Sequence, residues 1–378
     1  MKIAFQGCFR DPSKPYSSVW DCESNFLKAL SRLDRSNEYL LFNYGLKNHA
    51  ALAGRLANPG GPNFSTFVPP LSRRLIELAE SAGLDPRGAL LGRRGVDFLH
   101  IYEQIHAAPP RFPTIVTFLD AIAVLHPEWS APELVAAIET NAKRAAHVIA
   151  ASPWTKRQVL RLYGLPDERV SVVDFGIDHD RFRRLPPERT APVREKFRLP
   201  RRYLFCIGPF TPRKNLEYAL DAFPRWKAKH PDLALVLAGS PSPLREGFER
   251  KARERGLRDV LFVGELTHEE LAAMYNMAGV FLYPSPFVGL PLLEAMACGC
   301  PVAAADTEAM PDMAGRAAAF FSLEDPDDLV AKVDRILEDE ESRRRLVELG
   351  LAWAAEFTWE RAARQTLEVY ARFHRSLS

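Results

Sequence analysis

Arg213 and Lys214 stand side by side in Gly208-Pro209-Phe210-Thr211-Pro212-Arg213-Lys214-Asn215, a loop between an apolar strand (Arg202 to Ile207) and a helix that begins at Leu216. Two cations at a strand–helix junction, beside the amides of a helix N-terminus, suit a diphosphate: Arg forks onto two oxygens and Lys offers a mobile point charge. Such a pair is also common on plain surfaces. A second stretch, Phe287 to Pro301, reads as a loop feeding a short helix. Gly289 lets the backbone pass close to a ligand, Pro291 suits the first helical turn, and Gly299 with Pro301 ends the helix. A Gly-containing loop that opens a helix presents free amides and the positive end of a dipole, which together make an anion site. Glu294, one turn inside, can accept two hydrogen bonds from a ribose diol. Its other reading is a carboxylate that merely favours the helix N-terminus.

The elements that must position these residues alternate between strand and helix. Leu233 to Gly239, Val260 to Leu266, Val280 to Pro284 and Val302 to Ala305 read as strands. The first of them is a continuous apolar run, as a parallel strand covered on both faces must be. His268 to Tyr275 and Pro326 to Leu337 read as helices, and Phe357 to Phe373 as a last amphipathic one. The other half opens in the same way: a strand at Lys2 to Phe5, a helix at Trp20 to Leu33 and a strand at Glu38 to Phe42. Further strands are expected at Val96 to Tyr102, Pro113 to Phe118 and His147 to Ala150, with helices at Leu71 to Ala82 and Pro132 to Ala146. This is the α/β pattern of doubly wound parallel sheets, whose ligands collect at the carboxyl ends of the strands. Glu103, His106 and Asp120 follow such ends and are candidates for a cleft, whereas His126 reads as a local structural residue.

The chain has 378 residues, 47% hydrophobic and 26% charged, with a net charge of +2. That length suggests two domains, and that charge gives no reason to expect nucleic acid as a partner. The opening residues run straight into a strand without a signal-peptide layout, and no apolar run reaches membrane-spanning length. Of the five cysteines only Cys298 and Cys300 are close, and they straddle a helix end as two small buried residues would. A reducing cytoplasm is the expected setting. Leu185 to Pro192 has linker composition, which sets a first domain at 1–185, a second at 193–355 and a terminal helix at 356–378.

From Gly289 to Val302 the chain nearly matches the donor-binding signature of the family 4 retaining glycosyltransferases, Gly-Leu-Pro-x-x-Glu-Ala-Met-Ala-x-Gly-x-Pro-Val. The Gly208 to Asn215 loop resembles that family's Gly-x-x-x-x-Arg-Lys-Asn. The resemblance extends over nearly the whole chain. It implies the GT-B fold, two Rossmann-like domains facing across a cleft, with the terminal helix crossing back to the first. It further implies a nucleotide-diphospho-sugar donor and a glycan, lipid-linked or small-molecule acceptor, with no metal and no other cofactor. Arg213 and Lys214 would neutralise the leaving diphosphate and Glu294 would hold the ribose. Gly208, Gly289 and Leu290 would approach the phosphates or the sugar, and the base would lie against the loop ending in Leu266. Asp120 matches an Asp of the family. In membrane-associated relatives the region around Arg73-Arg74 and Arg87 to Arg94 faces anionic lipid; its plain alternative is a solvated helix face and loop, and peripheral contact at the inner membrane face is the corresponding expectation.

Three positions depart from the family pattern. The signature's first acid, eight residues before Glu294, is Pro286 here. A His that supports the reacting sugar is replaced by Leu119, and the first loop, Asp11 to Ser18, has no glycine. These departures keep a second reading open: a non-catalytic partner or scaffold subunit that has kept the fold.

Overall fold

The computed structural model describes residues 1–10, 18–46, 49–102, 105–287 and 289–377. The chain divides into two units, Met1–Gly176 with Trp359–Ser378, and Ile177–Thr358.

The first unit holds a seven-stranded parallel sheet: β1 (Lys2–Gln6), β2 (Glu38–Phe42), β3 (Phe64–Phe67), β4 (Phe98–Ile101), β5 (Thr114–Phe118), β6 (His147–Ala150) and β7 (Val170–Val172). Their order is β3-β2-β1-β4-β5-β6-β7. The strands are short and mostly buried, and the helices between them cover a core that includes Leu40, Phe42, Leu99, Ile101, Val116, Phe118 and Val148. β3 was not expected from the sequence. It is an edge strand whose Ser65 and Thr66 are exposed, so it lacks the apolar run that marks a central strand.

Trp359–Arg375 belongs to this unit and packs against the helix Ser18–Leu33. Its Tyr370 hydroxyl lies 2.5 Å from His100 Nδ1, and His100 Nε2 lies 2.7 Å from Thr117 Oγ1. The imidazole therefore ties β4 to β5 and to the terminal helix. Burial pulls His100 down to about 3, and burial with Arg87 and Arg73 nearby does the same to His106. Both stay neutral when folded but take up a proton near pH 6.5 when unfolded. Their contribution is thus complete above pH 6.5 and drains away as pH falls towards 3. Each pH unit below about 6 should cost the first unit up to ~1.4 kcal/mol per histidine. Urea unfolding should show the first unit's midpoint falling between pH 7 and pH 5. Burial pulls His147 down too, to about 4, so in H100Q that fall should be about one third less steep, and an equally steep fall would remove His100 from the account.

The second unit holds a six-stranded parallel sheet: β8 (Arg202–Ile207), β9 (Leu233–Ala238), β10 (Val260–Val263), β11 (Val280–Tyr283), β12 (Val302–Ala305) and β13 (Ala318–Phe321). The order is β10-β9-β8-β11-β12-β13, the doubly wound order with its reversal between β8 and β11. Leu204, Cys206, Leu235, Leu237, Leu282 and Trp226 form its core.

The linker expected at Leu185 to Pro192 is instead largely helix, Pro187–Lys196, within the second unit. Its prolines imitate a linker in composition. Pro187 occupies the first turn, where the missing amide costs nothing, but Pro192 lies inside the helix. The division of the chain falls earlier, after Gly176. A Cβ at Gly176 would come within 2.3 Å of the Trp359 backbone nitrogen, so glycine is what lets the two ends of the first unit meet.

Candidate functional site

In the second unit the loops that follow β8 and β11 meet at the reversal of the sheet. Gly208 takes φ +147°, a state that favours glycine, and a Cβ there would stand 2.9 Å from Lys214 Cγ. The Lys214 stem thus lies across bare backbone. Its Nζ donates to the Tyr283 hydroxyl at 3.3 Å and stands 5.1 Å from the centre of that ring. The same hydroxyl is 2.7 Å from where a Cβ on Gly289 would sit. Tyr283 is therefore the hinge point between the cationic loop and the glycine that opens the helix Leu290–Ala297.

Two further ties hold the loops in register. Ser285, buried between Pro284 and Pro286, donates its hydroxyl to the Arg213 carbonyl at 3.0 Å and accepts from the Phe287 amide at 3.2 Å. Asn215 adopts φ +47°, which Asn tolerates better than most residues, and donates its side-chain amide to the Pro284 carbonyl at 3.3 Å. From below, Gly239 closes the floor: a Cβ there would be 2.3 Å from the Gly208 carbonyl oxygen. Tyr283, Ser285, Asn215 and Gly239 were not singled out as site residues from sequence. A tyrosine ending an apolar strand and a serine caged by two prolines are the signals that could have found the first two.

Of the expected site residues, Gly208, Arg213, Lys214, Gly289 and Leu290 gather on these two loops. Arg213 and Lys214 are half-buried. Glu294 is 4% exposed, one turn into the helix whose N-terminal cap, Gly289, has no side chain to bond the first amides. Leu266 is buried; its neighbour Glu265 accepts a short hydrogen bond from Ser240. At Pro286 the carbonyl accepts from Thr307 Oγ1 at 3.0 Å, so the position of the missing acid has become a backbone contact. Cys298 and Cys300 are buried free thiols, and burial pushes Cys300 up to about 12.

The remaining candidates belong to the first unit. Asp120 follows β5 and its Oδ1 accepts from the Ile122 amide at 2.9 Å, opening the short helix Ile122–Leu125. His106 is in the interior, with its carbonyl held by Asn141 at 3.0 Å, rather than at an open cleft edge. His126 stacks on Trp129 at 4.2 Å, a local contact. Glu103 and the loop Asp11 to Ser17 lie outside the described residues. The basic segment is not uniformly a solvated face. Arg87 is buried, its Nε and one terminal nitrogen each 2.6 Å from the carboxylate of buried Glu80, and it also donates to the Ala107 carbonyl. Arg94 stacks 3.5 Å above the Phe67 ring.

Two doubly wound units, the second with a cation-bearing loop at its sheet reversal, define a GT-B protein. The sequence profile described as Glycosyl transferases group 1 matches residues 188–353, and that described as Glycosyltransferase Family 4 matches residues 47–181. The chain belongs to the family 4 glycosyltransferases. It is 29% identical to the O-antigen chain mannosyltransferase B of Escherichia coli over 271 residues, 68% of this chain and 69% of that protein. It is equally similar to the serotype-specific mannosyltransferase WbdA of the same organism over 253 residues, 62% of this chain but only 30% of that much longer protein. The crystal structure of Anabaena Alr3699/HepE in complex with UDP and glucose superposes with a TM-score of 0.73 at 18% identity, covering 98% of this chain and all of the other, which speaks to fold alone.

Proposed function

We propose that this glycosyltransferase moves a hexose, mannose foremost, from a nucleoside-diphospho-sugar to a glycan or lipid-linked glycan acceptor with retention of configuration and without a metal. The observation that carries the reading is the junction of the Gly208–Asn215 and Tyr283–Glu294 loops through Lys214 and Tyr283. The mannosyltransferase names of the relatives support the choice of sugar. Arg213 and Lys214 would take the diphosphate, with the amides after Gly289 helping, and Glu294 would take the ribose. In the transfer the bond from the anomeric carbon to the phosphate oxygen breaks and a bond to the acceptor oxygen forms. The acceptor proton passes to the leaving phosphate oxygen, and the nucleoside diphosphate departs. This front-side course asks no base of the protein, so Leu119 and Pro286 are compatible with turnover. The protein's share is to stabilise the departing charge and align the partners. Asp120, held against the Ile122 amide, would act as a positioning residue.

A lipid-linked acceptor would bring the enzyme to the inner face of a membrane. Leu75 and Leu78, on the same helix as Arg74, and Leu84 just after it are each more than 60% exposed and support that extension. Among the described residues no helix is long and apolar enough to cross a membrane.

The test is a melting-temperature panel with GDP-mannose, UDP-glucose, ADP-glucose and TDP-glucose, followed by nucleotide release with mannose-terminated glycans. A ligand specific to the folded state adds about 2.7 kcal/mol at a hundredfold excess over its dissociation constant. A selective shift with the mannosyl donor and acceptor-dependent release are expected. A shift with a different donor would replace the sugar; silence from all four would favour the scaffold reading.

A further inference from the structure

On the second unit, away from the loops just described, His230, Asp334 and Glu338 converge. His230 follows the helix Leu216–Lys229 and caps it, its amide donating to the Trp226 carbonyl at 2.7 Å. Asp334 and Glu338 lie one turn apart on the helix Pro326–Glu338. Nε2 of His230 is 3.6 Å from Asp334 Oδ1 and 3.4 Å from Glu338 Oε1. These separations are too long for good hydrogen bonds, which run to about 3.2 Å. They match the edge of a tetrahedron instead: ligands about 2.0–2.1 Å from a zinc ion stand roughly 3.3–3.4 Å apart.

Two more observations point the same way. Asp334 is 6% exposed, and both its Oδ1 and His230 Nε2 are buried without a hydrogen-bond partner among the described residues. Buried polar atoms are seldom left so. The other Asp334 oxygen is held by Lys229 Nζ, the kind of outer hydrogen bond that orients a ligating carboxylate.

We propose that His230, Asp334 and Glu338 form a zinc site, with water as the fourth ligand, that clamps these two helices together. The helix Leu216–Lys229 has 14 residues, about 21 Å, between the cationic loop at its start and His230 at its end. The ion would therefore serve stability and take no part in sugar transfer.

The test uses the full chain, stripped with EDTA and titrated with zinc chloride and with cobalt chloride. One equivalent of metal should bind, and cobalt should give the strong visible absorption of a four-coordinate ion. At a hundredfold excess over the dissociation constant, zinc should raise the second unit's melting temperature by roughly 5–10 °C. E338Q alters an exposed side chain and should fold normally while binding zinc at least tenfold more weakly. H230Q should abolish uptake, with a metal-free melting temperature close to that of the stripped parent. No uptake by the parent, or uptake retained undiminished by both variants, overturns the assignment.

Discussion

Lys214→Ala is expected to lower the transfer rate by about two to three orders of magnitude, the usual loss when one preorganised donor to a developing negative charge is removed. The charge that Lys214 would meet grows as the diphosphate leaves, so the effect should fall on kcat, with donor KM changed much less. Folding should be nearly untouched. Lys214 is half-buried and its near neighbour is the Tyr283 hydroxyl rather than a carboxylate, so no buried ion pair is broken. A melting temperature within about 2 °C of the parent is the matching expectation. Lys214→Arg should recover only part of the loss, because the stem is pressed across Gly208 and a guanidinium cannot occupy the same narrow path. Unchanged turnover in Lys214→Ala would falsify the assignment of this loop to the diphosphate.

Glu294→Gln should act on the other side of the balance. A carboxylate accepting two hydroxyls loses its charge and one of its acceptors when it becomes an amide. Hydrogen bonds to charged groups contribute about 1.5–3 kcal/mol, so donor affinity should fall roughly 10- to 100-fold with kcat less affected. Gln has nearly the same shape, and it fills the buried slot that an Ala would leave partly empty. The decisive control is a donor with a deoxyribose. If Glu294 holds the diol, the substitution and the missing hydroxyl should cost no more together than either alone. If both donors weaken equally in Glu294→Gln, the carboxylate supports the helix and not the ligand.

Much of the scaffold was legible because β1, β2, β5, β6, β8, β9, β11 and β12 are buried and leave apolar runs in the sequence. The cationic pair and the Gly289 to Glu294 stretch were legible because chemistry and turn geometry narrow the residue types together. What escaped reading depends on partners far along the chain. Nothing near Arg87 announces that it is neutralised by Glu80 in the interior. His100 looks like any residue of an apolar strand until Tyr370, 270 positions later, reaches it. Pro187–Lys196 fails differently: it buries no residue, so no apolar stripe marks it as helix. Tyr283 and Ser285 carry polar atoms whose purpose appears only when the two loops are brought side by side.

The return of Trp359–Arg375 to the first unit has a consequence for synthesis. The helix that covers Ser18–Leu33 and caps His100 leaves the ribosome only after the whole of Ile177–Thr358. At about 5–20 residues per second, that intervening stretch keeps the first unit waiting for something like 10–40 s. Through that interval Phe98 lacks Tyr370 and Phe373, whose rings otherwise pack edge-on against it at 5.3 Å each. Until then the first unit is incomplete, while the second, continuous in sequence, can fold as soon as Thr358 has been made.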